Sequence, residues 1–115
     1  MEMTNTDIRR TLSPKQRKDV ANYLTNFITA AKEKDWYVGA TCNHVWNVWF
    51  ETDTGITRED AYRLEDAYRR LTGALTNTGF SAFTKEQWSD MSTHEKNNYR
   101  VSKLEQFCEW LLEEN

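Results

Sequence analysis

Cys42, Cys108, His44 and His94 are the residues of this 115-residue chain whose types suit nucleophilic or metal chemistry, and their spacing supports neither. Cys42 and His44 stand two apart, and side chains two apart on a helix diverge by about 200°, so the imidazole is turned away from the thiol it would have to deprotonate. Cys108 lies 66 positions beyond Cys42, and no Cys-x-x-Cys pair occurs. A zinc site begun by Cys42 and His44 needs two further ligands from Cys108, His94 or distant carboxylates. Two widely separated cysteines read as small buried hydrophobes. His94 reads as an exposed residue of a first helical turn, and His44 as a hydrogen-bonded histidine of an apolar segment. Gly39, Gly55, Gly73 and Gly79 each stand alone, which leaves no glycine-rich phosphate loop. The expectation is a protein that is not an enzyme and that holds no metal and no cofactor.

Binding chemistry is better supplied. Trp, Tyr and Arg are the side chains that most often anchor protein interfaces, because they bury large area with few rotatable bonds lost. Tyr62, Arg63 and Arg69 lie on one predicted helix, with Asp53 in the turn before it and Trp49 close behind, and these five are the candidate partner-binding residues. A second candidate surface is basic. Before position 35, Arg9, Arg10, Lys15, Arg17, Lys18, Lys32 and Lys34 face only Glu2, Asp7, Asp19 and Glu33. If the amino-terminal stretch folds onto the first long helix, Arg9, Arg10, Arg17 and Lys18 converge into a patch able to displace counterions from nucleic-acid phosphates.

Composition limits the remaining classes. Fifteen Lys or Arg against 18 Asp or Glu give a net charge of −3, which opposes a generally nucleic-acid-binding surface, and the arginines threaded through Glu59 to Arg70 oppose a nucleic-acid mimic. Mean hydropathy is −0.86, and no apolar run approaches the roughly 18 residues that a membrane span requires. The first residues carry no apolar stretch behind a basic start, so a cytoplasmic protein is expected. Aromatics at 13 % are enough to order one small core, and the chain length admits one domain.

The elements that position these residues read as helices. Residues 1–12 show no apolar period and are expected to form a flexible polar arm ahead of a single helical domain over 13–115. Ser13, Pro14 and Gln16 form a helix start, after which Val20, Leu24, Phe27, Ile28 and Ala31 make one stripe over 14–34. Thr57 with Glu59 and Asp60 opens a helix over 58–75, striped by Ala61, Leu64, Tyr68, Leu71 and Leu75. Thr84 with Gln87, then Ser92 with Glu95, predict a short helix over 85–90 and a long one over 93–113. Val101, Leu104, Cys108 and Leu111 stripe the last helix, widened by Phe107 and Leu112. Its carboxyl end is acidic against the helix dipole, and so must fray, meet a cation or meet a partner. The segment 42–53 suits a helix, with a hairpin over 36–52 as the alternative. The core is expected from Leu24, Phe27, Leu64, Leu71, Leu104 and Leu111.

Around the last two caps, Trp88, Ser92, Glu95, Lys96 and Tyr99 resemble the join between the second and third helices of HMG-box DNA-binding domains. The resemblance covers about 12 residues, and packing Trp88 and Met91 around a tight helix-to-helix corner explains the same residues. Those boxes are basic, whereas Thr84 to Asn115 holds four Lys or Arg against seven acids, so only the capping pattern is shared.

The sequence therefore predicts an all-α bundle of four to five helices, with α+β as the alternative. The expected function is non-catalytic binding of another protein, with nucleic acid as the second choice of partner, and neither membrane nor small-molecule cofactor is expected. Chains of this size and kind serve bacteriophages and other mobile elements as inhibitors or modulators of a host complex.

Overall fold

A computed structural model describes residues 4–34, 55–75 and 79–113. The predicted 42–53 helix and its hairpin alternative lie outside the described residues, as do Cys42, His44, Trp49 and Asp53. The fold is all-α, and helix accounts for 78 % of what is described.

α1 spans Asn5–Arg10, α2 Pro14–Lys34, α3 Arg58–Thr72, α4 Lys85–Asp90 and α5 Thr93–Leu112. Each begins where a side chain satisfies backbone N–H groups that the first turn leaves open. At α2 the Gln16 N–H donates to Ser13 Oγ at 3.1 Å, and the Ser13 N–H donates to Gln16 Oε1 at 2.8 Å. Thr84 with Gln87, and Ser92 with Glu95, repeat this reciprocal box before α4 and α5. Thr57 caps α3 by accepting from the Asp60 N–H.

α1 corrects the expected arm. Thr4 and Asp7 close a fourth capping box, and Ile8 and Leu12, 2 % and 3 % exposed, enter the core while α1 packs against α3. Six helical residues are fewer than two turns, too few to show an apolar period, and that concealed the element. α3 also differs, ending at Thr72 short of position 75. Gly73 adopts φ +77°, its N–H donates to the Arg69 carbonyl, and the chain turns away. Leu75 consequently leaves the stripe and is exposed.

α2 and α5 form the central antiparallel pair, with Cys108 against Ala21 and Lys32 reaching Glu105. α3 crosses α5, where Tyr68 meets Phe107 edge-on at 5.6 Å. Val20, Leu24, Ile56, Leu64, Leu104, Phe107 and Leu111 are the fully buried centre. Of the expected core, Leu24, Phe27, Leu64, Leu104 and Leu111 are buried, while Leu71 is half-buried near the end of α3 and packs against the cluster from its side. A separate aromatic cluster of Phe80, Phe83, Trp88 and Tyr99, with ring centres 4.7 to 6.2 Å apart, fastens α4 to the amino-terminal half of α5. Trp88 packs this helix-to-helix corner as expected, with Phe80, Phe83 and Tyr99 as its ring partners, while Met91 is half-buried.

Candidate interaction surfaces

On α3 the inward stripe of Ala61, Leu64, Ala67 and Tyr68 is complete without Tyr62, which faces solvent at 47 % exposure. Arg69 lies seven residues further along nearly the same line of the helix. Arg63 donates to Glu59 Oε1 at 2.6 Å and to Asp60 Oδ1 at 3.0 Å, and Arg69 pairs with Glu65. The candidate cations are thus held by acids one turn earlier on the same helix. Tyr62 thus shares its helix surface with charge-balanced pairs and not with free cations. The structure brings Tyr62, Arg63 and Arg69 onto one helix surface. Asp53 and Trp49 fall outside the described residues.

The basic patch does not assemble as expected. Arg10 and Lys18 are exposed and Arg17 is half-buried, but Arg9 is only 6 % exposed and turns inward. Its guanidinium donates to the Trp110 carbonyl at 2.8 Å and to Glu113 Oε2 at 3.2 Å. The acidic carboxyl end of α5 therefore meets its cation within the chain. Arg9 is taken up there because a helix end weakens the bonding of its last carbonyls: Trp110 keeps a 3.3 Å bond from the Glu113 N–H, and the guanidinium adds a shorter one.

Arg17 and Lys18 instead line an open groove of about 590 Å³ with Pro14, Asn22, Leu111, Leu112 and Glu113. A second groove of about 270 Å³ lies between Thr25, Ile28, Thr29 and Lys32 of α2 and Glu105, Cys108 and Glu109 of α5. Leu112 is 56 % exposed, not part of the stripe to which its type assigned it. The signal was present in the sequence: Leu111 and Leu112 are adjacent, and neighbours 100° apart on a helix cannot both lie at the centre of one stripe.

Cys108 is buried, and burial pushes its thiol up to about 11, with Glu105 and Glu109 acting in the same direction and the Thr25 hydroxyl opposing them. At neutral pH it is a protonated hydrophobe, not a nucleophile. His94 is exposed in the first turn of α5. Among the described residues no three His, Cys, Asp or Glu side chains gather to hold a metal ion, and no helix is long and apolar enough to cross a membrane. No family model matches this chain, and neither a curated protein nor a solved structure shows significant similarity to it.

Proposed function

We propose that the protein acts in the cytoplasm by binding another protein, without chemistry of its own, and that the solvent face of α3 centred on Tyr62 is the binding surface. The observation that supports this reading is the exposure of Tyr62 beside a buried stripe that is complete without it. An exposed tyrosine on a rigid helix loses little freedom on binding, and the guanidinium–carboxylate pairs on the same helix surface form part of a rim that can exclude water from it. A small helical chain of this kind works by occupying a surface of a larger assembly. The setting we infer is that of a phage or mobile-element protein that inhibits or redirects a host complex.

The test is affinity capture from host extract after nuclease treatment and a high-salt wash, comparing the natural chain with Tyr62→Ala/Arg63→Ala. The variant should keep its melting temperature and lose affinity for the captured protein by about tenfold or more. Undiminished capture would place the surface elsewhere, and early melting would make these residues part of the core. A complex that nuclease or salt abolishes would favour nucleic acid.

A further inference from the structure

The two grooves between α2 and α5 are successive parts of one furrow. Pro14, Lys18, Asn22, Thr25, Thr29 and Lys32 line them from α2 at spacings of four, four, three, four and three, a single helical stripe. Glu105, Glu109 and Leu112 do the same on α5 at spacings of four and three. The rims carry opposite charge, with Arg17, Lys18 and Lys32 along α2 and Glu105, Glu109 and Glu113 along α5.

Within the chain only part of that charge is matched. Lys32 reaches Glu105 at 3.5 Å, and Glu113 is held by Arg9 at 3.2 Å. Arg17, Lys18 and Glu109 make no ion pair among the described residues, and Arg17 Nε is enclosed without a hydrogen-bond partner. These unmatched groups flank the exposed Leu112.

We propose that this face binds a second copy of the chain, as a homodimer whose two-fold axis runs parallel to α2 and α5. Rotation about such an axis lays α2 of one copy over α5 of the other, so both basic rims meet acidic rims at once, as an isologous contact requires. An in-plane axis perpendicular to the helices sets α2 on α2 and brings like charges together. In the parallel arrangement Leu112 of one copy lies against Pro14 and the aliphatic stem of Lys18 of the other, since these residues share one level of the furrow. Glu109 lies about one turn, or about 5 Å, from that level, within reach of the lysine. The product is a four-helix layer with antiparallel neighbours. Apart from Leu112 the rims are polar, so dissociation constants between about 10 µM and about 1 mM are expected.

Sedimentation velocity of the full chain up to about 1 mM reads this association directly. Leu112→Glu should weaken it at least about tenfold, and Lys18→Glu or Glu109→Lys alone should each weaken it too. An equimolar mixture of the Lys18→Glu and Glu109→Lys variants should associate again, because the two reversed charges then face each other in one half of the contact and the natural Lys18 and Glu109 face each other in the other. Recovery on mixing also shows that both variants are folded. A wild-type chain that stays monomeric throughout overturns the proposal, as does association that ignores Leu112→Glu or a mixture that fails to recover. Tyr62→Ala/Arg63→Ala should leave association unchanged, which separates this contact from the α3 surface.

Discussion

Arg9 and Trp110 are joined twice: the guanidinium donates to the Trp110 carbonyl at 2.8 Å and its carbon sits 5.2 Å from the centre of the Trp110 ring. One side chain of α1 thus closes the carboxyl end of α5 across 101 positions of sequence. The hydrogen bond is buried, whereas Glu113, the third member, keeps 63 % of its side chain exposed.

This division predicts unequal costs. Arg9→Ala leaves the Trp110 carbonyl with only the 3.3 Å bond from the Glu113 N–H and the indole without its covering cation, and should cost about 2 kcal/mol in urea unfolding. Glu113→Gln removes only a screened, largely exposed ion pair and should cost under about 1 kcal/mol. Equal losses would show that the ion pair, and not the carbonyl bond, fastens α1.

A second contrast separates the centre of the core from its edge. Leu24→Ala and Leu104→Ala empty fully buried positions and should each cost about 2 to 5 kcal/mol. Leu71→Ala, half-buried near the end of α3, should cost about 1 kcal/mol, because the cavity opens to solvent. Chemical denaturation of the three variants ranks them.

The long helices were legible because each joins two independent signals, a capping side chain and an apolar stripe over 11 residues or more. Ser13 with Gln16, then Val20, Leu24, Phe27 and Ile28, leaves α2 little alternative. α1 has a cap and only one turn and a half of pattern, and Asp7 closes its box where Glu or Gln is commoner. Tyr62 was legible as an outward residue from the completeness of the stripe around it. The inward turn of Arg9 was not, since it depends on a carbonyl far away in sequence. Likewise the furrow arises only when α2 and α5 lie side by side, which neither stripe alone specifies.

Among the described residues Gly55 and Gly73 both adopt left-handed dihedrals, and at Gly73 the surroundings oppose a side chain as well. At φ +77° a side chain is strained, and a Cβ there would also strike Ser81 Oγ. Gly73→Ala should cost about 2 kcal/mol, and adding Ser81→Ala should recover about half, since it removes the collision and leaves the dihedral strain. Thermal melts of the single and double variants measure the two parts. Full recovery would mean that the dihedral costs nothing.

The last prediction concerns Cys108. Its thiol is raised from an ordinary 9.0 to about 11 by burial between α2 and α5. The folded chain therefore retains a proton between about pH 9 and about pH 11 that the unfolded chain releases. Because the unfolded state binds fewer protons in that window, stability must fall as pH rises through it, and the contribution is fully present below about pH 9. Comparing urea unfolding of the natural chain with Cys108→Ala at pH 8, 9 and 10 isolates the effect from lysine and tyrosine titration, and the variant should lose stability with the shallower slope. An aromatic disulfide reagent gives an independent reading in a Cys42→Ser background. Cys108 should react slowly in the folded chain at neutral pH and at once in urea, because only unfolding gives the reagent access to a thiol that can ionise. Fast reaction without urea would mean that α2 and α5 part readily along the furrow, and the raised titration would then vanish with it.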